Sequence, residues 1–207
     1  MSDKETIRRG YDELAETYAS RRSENEREVA VLKEFLGTLS EPTRLLDAGC
    51  GQGTPVLPRV GQQRTAVGLD FSREQLRIAA ETAPLARLVH GDMMRLPFRD
   101  SVFDAVTAYN SLIHIPLAEH RAVIAEFARV LRPGGKVLIS EAPEEFERTN
   151  EDWLDSGVTM TWSMAGERAT QSQLQDAGFQ IINHWDVPDR ADESDPKPLF
   201  FAARLDT

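Results

Sequence analysis

Apolar positions in the first forty residues recur at helical spacing. Ile7, Tyr11, Leu14 and Tyr18 form one stripe, and Val29, Leu32, Phe35, Leu36 and Leu39 form a second over about residues 24–39. Ser2 with Glu5 reads as a capping box for the first helix. Glu41-Pro42-Thr43 breaks the second. From Arg44 the pattern changes to short apolar runs alternating with helical stretches. Arg44 to Ala48, Thr65 to Leu69, Ala86 to His90, Phe103 to Ala108 and Lys136 to Ser140 read as strands. Between them, Ser72 and Gln75 cap a helix carrying Leu76, Ile78 and Ala79. Pro116 opens a longer helix with Val123, Ile124, Phe127, Val130 and Leu131 inward, stopped by Arg132-Pro133-Gly134-Gly135. Such alternation predicts an α/β fold: a largely parallel sheet with helices on both faces.

Beyond residue 140 the pattern loosens. Residues 141–157 read as an acidic loop. Val158, Met160, Trp162 and Met164 alternate with polar residues and predict a strand with one apolar face. Thr170 and Gln173 suggest another capping box, and Gly178 ends that helix. Phe179 to Val187 and Leu199 to Leu205 read as the last two strands, joined by an exposed loop over 188–198. Without an internal repeat or an interdomain linker, the 207 residues are expected to form a single domain, long enough to bury a core without disulfides or metals.

The charge sum of −10 disfavours nucleic-acid and anionic-membrane partners, which demand a basic face. Cys50 is the one cysteine, so there is no internal disulfide framework and too little thiol for structural zinc. Without a cysteine or histidine cluster, metal independence is expected. The first residues lack the apolar core of a signal peptide, and no apolar run reaches 18 residues, so a cytoplasmic location is expected.

The most informative stretch is Leu45-Leu46-Asp47-Ala48-Gly49-Cys50-Gly51-Gln52-Gly53. A buried strand runs into alternating glycines, where backbone can approach a ligand closely. Asp70 ends the next strand, 17 residues beyond Gly53, where a carboxylate can accept from two ribose hydroxyls. Asp92 ends the third strand and can accept from an adenine amine, while Phe71 and Met93 offer flat or soft contacts to the ring. Each acid taken alone fits a helix cap or a solvated loop equally well. Their shared position immediately after strands favours the ligand reading. A nicotinamide-type fingerprint would place glycines as Gly-x-Gly-x-x-Gly, whereas here they stand at 49, 51 and 53.

These motifs together resemble class I S-adenosylmethionine-dependent methyltransferases. Asp47 to Gly53 resembles that family's first motif, and Gly68-Leu69-Asp70 its second. Gly91-Asp92-Met93 with Leu96-Pro97-Phe98 resembles the third, followed by Phe103-Asp104-Ala105-Val106, Leu112, His114 and Arg129 to Gly135. The match covers about residues 44–140. The resemblance implies a three-layer, Rossmann-like, seven-stranded sheet whose last strand is antiparallel. It also implies three parts: an N-terminal helical lid over 1–43, a cofactor-binding core over 44–140, and a substrate-side segment over 141–207.

By that resemblance Gly49 and Gly51 would admit the methionine portion of S-adenosylmethionine, with Asp47 steering its ammonium through water and Cys50 and Gly53 in the same cofactor-binding loop. Asp70 would hold the ribose. Asp92, after Gly91, would meet the adenine amine, with Met93 on the ring. Backbone at Ala108 and Tyr109 would face the amino-acid end. Pro55, Pro58 and Gly61 depart from the family's usual helix after the glycine loop.

Methyl transfer from a sulfonium needs alignment more than a dyad, and positioning can supply about 7–11 kcal/mol. A base is needed only if the acceptor carries a weakly acidic proton. His114 is the candidate base, with helix-entrance packing as the alternative. His90 reads as structural, His120 as lying on a polar helix face, and His184 as aimed toward the cleft. Tyr11-Asp12-Glu13-Leu14-Ala15-Glu16-Thr17-Tyr18, backed by Arg21 and Arg22, matches a lid helix of related small-molecule methyltransferases. Tyr11 would close over the cofactor and Tyr18 over the reacting groups. Tyr18, Asn110, His114, Met160 and Trp162 would bind the acceptor; Met160, Trp162 and Met164 would form a wall that favours an apolar or aromatic small molecule, with ordinary core packing as the alternative for each. A non-catalytic protein that binds the cofactor, or a partner, on the same fold is the alternative. Monomer and homodimer both stay open.

Overall fold

Alternate residues of the central strands serve two cores at once. Leu46, Val106, Val137, Ile139 and Phe201 pack into one apolar cluster, and Leu45, Ala105, Leu138 and Phe200 into another. This is the two-sided burial that makes parallel strands read as continuous apolar runs. The computed structural model describes residues 3–41, 43–61, 64–187 and 198–206. In chain order its elements are α1 (Asp3–Glu13), α2 (Ala15–Arg21), α3 (Glu26–Gly37), β1 (Arg44–Ala48), β2 (Thr65–Asp70), α4 (Arg73–Thr82), β3 (Arg87–His90), β4 (Phe103–Ala108), α5 (His120–Val130), β5 (Leu131–Glu141), β6 (Phe146–Trp153), β7 (Val158–Met164), α6 (Glu167–Asp176), β8 (Phe179–Asp186) and β9 (Leu199–Leu205).

Seven strands form one sheet in the order β3-β2-β1-β4-β5-β9-β8. The strands β1 to β5 pair in parallel, and β9 runs antiparallel to both β5 and β8. The helices α5 and α6 cover the first core through Val123, Ile124, Phe127 and Leu174. On the other face, α3 supplies Val31, Leu32, Phe35 and Leu36. Thus α3 belongs to the core, while α1 and α2 pack with Trp153, Met160 and Trp162 in a third cluster above the strand ends.

Three local readings change. Residues 146–153, read as loop, form β6, which pairs with β7 in a separate two-stranded sheet. Between Phe146 and Trp153 its sequence is polar and mostly exposed, so no period of two marks the strand. The segment after the glycine loop, where Pro55, Pro58 and Gly61 depart from the family's usual helix, is a single 3₁₀ turn, Leu57–Arg59, in keeping with that departure. The helix read from Thr170 starts at Glu167, and the Thr170 hydroxyl instead donates to Glu141 at 2.7 Å. Finally, His120 is 1% exposed and bonds Ile115 O at 2.9 Å, so it belongs to the core, not to a polar face. Ser2, Pro42 and the 188–197 stretch lie outside the described residues.

Candidate active site

The strand-end loops of β1, β2, β3 and β4 line a cleft under α1 and α2. The glycine loop is tied to β2 by Gly49 and Cys50, whose amides donate to Leu69 O at 2.7 and 3.0 Å. Gly49 has φ +77, and a Cβ there would collide with Ser111 Cβ and come within 2.9 Å of Met93 Cε. Only glycine fits this position. Asp70, 5% exposed, accepts from Gly51 N at 2.8 Å and Ser72 N at 2.9 Å, which orients its carboxylate along the cleft wall.

Two buried acids share this region. Burial pushes the Asp47 carboxyl up to about 7 against its bond from Thr107 Oγ1 at 2.6 Å; the Asp70 charge adds to the rise and Arg22 opposes it. Burial likewise pushes Asp70 up to about 6, opposed by its three backbone donors. A cleft that keeps such carboxylates with so few cations is suited to a ligand bringing positive charge and hydroxyl donors. Polar vacancies agree. Gln52 Oε1 and both side-chain atoms of Gln75 are buried without a hydrogen-bond partner, and both residues line the cleft. The Gln75 side chain does not return to Ser72, whose amide is already held by Asp70; only the Ser72 hydroxyl half of the predicted box forms. The cleft residues therefore fit a nucleoside with an amino-acid arm.

Asp92 also lines the cleft, yet it is engaged: Oδ1 accepts from Met94 N at 3.0 Å and Oδ2 is ion-paired with Lys4 of α1. Phe71, Gly91, Met93 and Cys50 line the same space. Cys50 is buried and its thiol is pushed up by that burial, which makes it a packing group. Gly53 and Ala108 do not reach the lining. Gly53 lies against Ala79 and Thr82 of α4, and Ala108 is a buried strand residue whose carbonyl accepts from Ser140 Oγ at 3.5 Å.

A second, more open chamber adjoins the first and shares Tyr11, Tyr18, Arg22, Tyr109, Asn110 and His114 with it. Its far wall carries Phe146, Trp153, Trp162 and Met164 from the β6–β7 ribbon. Asn110 stands at the junction with φ +53, a conformation asparagine tolerates, and donates to Glu28 at 3.0 Å. Tyr109 donates to the same carboxylate at 3.3 Å.

His114 sits between the chambers. Its Nδ1 faces Thr161 O at 3.3 Å, and since a carbonyl only accepts, Nδ1 carries the proton. Its Nε2 therefore accepts from the Tyr11 hydroxyl at 2.7 Å. Burial lowers the imidazole to about 4, so His114 is neutral and its lone pair is turned to Tyr11 of α1. Tyr11 packs edge-on against Tyr18, Trp153 and His114, and Arg22 lies over the Tyr18 ring while donating to its hydroxyl.

Of the residues read as an acceptor wall, Trp162 and Met164 line the chamber and Met160 does not. All three share a face of β7, but α1 covers its first part: a Cβ on Gly10 would stand 2.9 Å from Val158 and 3.1 Å from Met160. Met160 is consequently 0% exposed. His184 lies on β8 against Phe201, outside both chambers, and His90 bonds Phe71 O at 3.0 Å. Sequence reasoning missed Lys4, Glu28, Gln75, Ser111 and Trp153, all of which line one chamber or the other. Gln75 offered the one usable signal, a buried helix-face amide at a position whose capping role a neighbour takes.

Comparison with known proteins agrees with this geometry. A family model described as a methyltransferase domain matches residues 46–139. A demethylmenaquinone methyltransferase of Staphylococcus aureus is 34% identical over 168 residues, covering 66% of this chain and 68% of that protein. One of Shouchella clausii is 37% identical over 110 residues, covering 49% of this chain but 46% of its own length. The chain thus spans between about half and two thirds of these curated relatives. Among solved structures, magnesium protoporphyrin IX methyltransferase from Synechocystis PCC 6803 with bound S-adenosylhomocysteine superposes with a TM-score of 0.75 at 19% identity. It covers 99% of this chain and 100% of that one, a likeness of fold. With the matched domain spanning β1 to β5 and a relative aligned over two thirds of its length, the chain belongs to the class I S-adenosylmethionine-dependent methyltransferases.

Proposed function

We propose that the protein transfers a methyl group from S-adenosylmethionine to a small, flat, conjugated acceptor seated against the β6–β7 ribbon. The observation that carries this is the junction of two chambers. A cleft with nucleoside-type polar groups opens, at Asn110 and His114, into a chamber that carries Trp153, Trp162, Tyr18 and Phe146 beside charged groups such as Arg22, Glu28 and Arg148. The quinone and porphyrin acceptors in the relatives' names have the same flat, conjugated shape. Aromatic walls stack on such rings and exclude water.

The bound cofactor supplies a methyl group already activated on a sulfonium. The protein's own residues bind, orient and exclude water. Asp70 would accept from the ribose hydroxyls, and Gln75 would supply a further amide beside it. Asp92 would accept the adenine amine in place of, or together with, Lys4. Asp47 and Arg22 carry the charges complementary to an ammonium and a carboxylate at the amino-acid end. Tyr11, held by His114, closes the cleft from above, as the lid reading of the N-terminal helices requires. For an acceptor that must lose a proton, Glu28 is the buried carboxylate on the chamber, and His114 serves only when Tyr11 releases its Nε2.

No helix among the described residues is long and apolar enough to cross a membrane. Incubation with methyl-labelled S-adenosylmethionine and a panel of quinols, phenols and porphyrins tests the reading. Label should enter a ring-bearing acceptor. Binding of S-adenosylhomocysteine without any transfer would favour a non-catalytic cofactor-binding protein, and binding of NADH instead would overturn the cofactor assignment.

A further inference from the structure

Asp12 touches neither chamber's lining, yet it joins the lid to the ribose-side acid. Its Oδ1 accepts from the Ser72 hydroxyl at 2.7 Å and from the amide of Arg73 at 3.1 Å. It thereby caps α4 from a different helix. Its Oδ2 takes Arg8 at 2.5 Å. Ser72 in turn accepts from Gln75 N at 3.2 Å and donates its own amide to Asp70 Oδ1 at 2.9 Å. One continuous chain of hydrogen bonds thus runs from α1 through Ser72 to Asp70, which also holds Gly51 of the glycine loop. The neighbouring Tyr11 is the residue that covers the cleft and bonds His114.

We propose that Asp12 is a positioning residue for cofactor binding: it caps α4 in trans, locks the lid over the cleft, and holds Ser72 so that the Asp70 carboxylate keeps its orientation. This rests on the assignment of Asp70 to the ribose. The physical reason is linkage. With the cap in place the lid and the carboxylate are ordered before the ligand arrives. Without it, binding must supply that ordering, and affinity falls.

Calorimetry with S-adenosylhomocysteine on the full chain tests this. Asp12→Ala should weaken binding about five- to tenfold, the scale of a lost helix cap. Asp12→Asn keeps a capping oxygen while losing the Arg8 pair, and should bind like the wild type. Asp12→Glu keeps the charge but misplaces the oxygen, and should bind as weakly as Asp12→Ala; it also replaces that variant if the alanine protein does not fold. Because Asp12 acts through Asp70, Asp12→Ala should add little in an Asp70→Asn background. Wild-type affinity in Asp12→Ala and Asp12→Glu, equal loss in Asp12→Asn, or full additivity with Asp70→Asn overturns the proposal. Failure of the ribose assignment looks different: Asp70→Asn alone would then leave affinity unchanged.

Discussion

Replacing Asp47 with Asn separates what the buried acid costs the fold from what it supplies to the site. Asp47 is 2% exposed, and burial lifts its carboxyl from the ordinary 3.8 to about 7. Each unit corresponds to about 1.4 kcal/mol, so holding the ionised form at pH 8 costs the folded state on the order of 2–4 kcal/mol, with the upper figure a ceiling because Arg22 and penetrating water relax the charge. The raised value means that the folded state binds a proton more readily than the unfolded chain between about pH 4 and pH 7. The contribution of Asp47 to stability is therefore greatest at low pH and is lost as pH rises through 7. Asparagine retains the carbonyl that accepts from Thr107 Oγ1 at 2.6 Å, so the variant removes the charge without orphaning that hydroxyl. Urea titrations at pH 8 should show Asp47→Asn more stable than the wild type at unchanged m-value. The gain should shrink toward pH 5, where the wild-type carboxyl is protonated. S-adenosylhomocysteine affinity should fall in the same variant, because the ammonium loses its counter-charge. A variant less stable than the wild type at pH 8, or a gain independent of pH, would refute the argument that burial sets this carboxyl's titration.

Three further outcomes follow from the same geometry. Asp70→Asn should weaken S-adenosylhomocysteine binding by about 1–3 kcal/mol in calorimetry, the value of charge-assisted bonds to two hydroxyls. Gly49→Ala should abolish measurable binding and lower the thermal midpoint, since its Cβ would meet Ser111 and Met93 in a left-handed conformation; a variant that still binds would show that the loop is free to shift. Nitrogen-15 NMR of His114 should report a neutral ring protonated on Nδ1 at pH 6, and Tyr11→Phe should shift the Nε2 resonance; an imidazolium at that pH would contradict the burial of this residue.

Much of the cofactor side was legible in the sequence because each signal there is local. Strands buried on both faces read as apolar runs, and their ends carry the glycines and acids in order: Asp47 to Gly53, Asp70, Gly91-Asp92. The second chamber was not, because its signals depend on what covers a face. The β6 strand is charged and exposed, so nothing in its composition marks it, yet it brings Phe146 and Trp153 to the chamber. Along β7, Met160 and Trp162 have the same alternation, and only the docking of α1 at Gly10 separates a core residue from a wall residue.

The alternation of strands and helices over 44–140, the class of fold and the carboxylates at the strand ends were determined by the sequence alone, since period, glycine placement and strand-end chemistry are properties of short segments. The tertiary structure decided which groups are free to act. It turned the His114 lone pair toward Tyr11, closed Lys4 onto Asp92, left Gln75 unpartnered beside Asp70, and gave Asp12 a cap sixty residues away in the chain. Hydrogen-bond partners and burial set a side chain's protonation and availability, and both are supplied by segments far apart in the sequence.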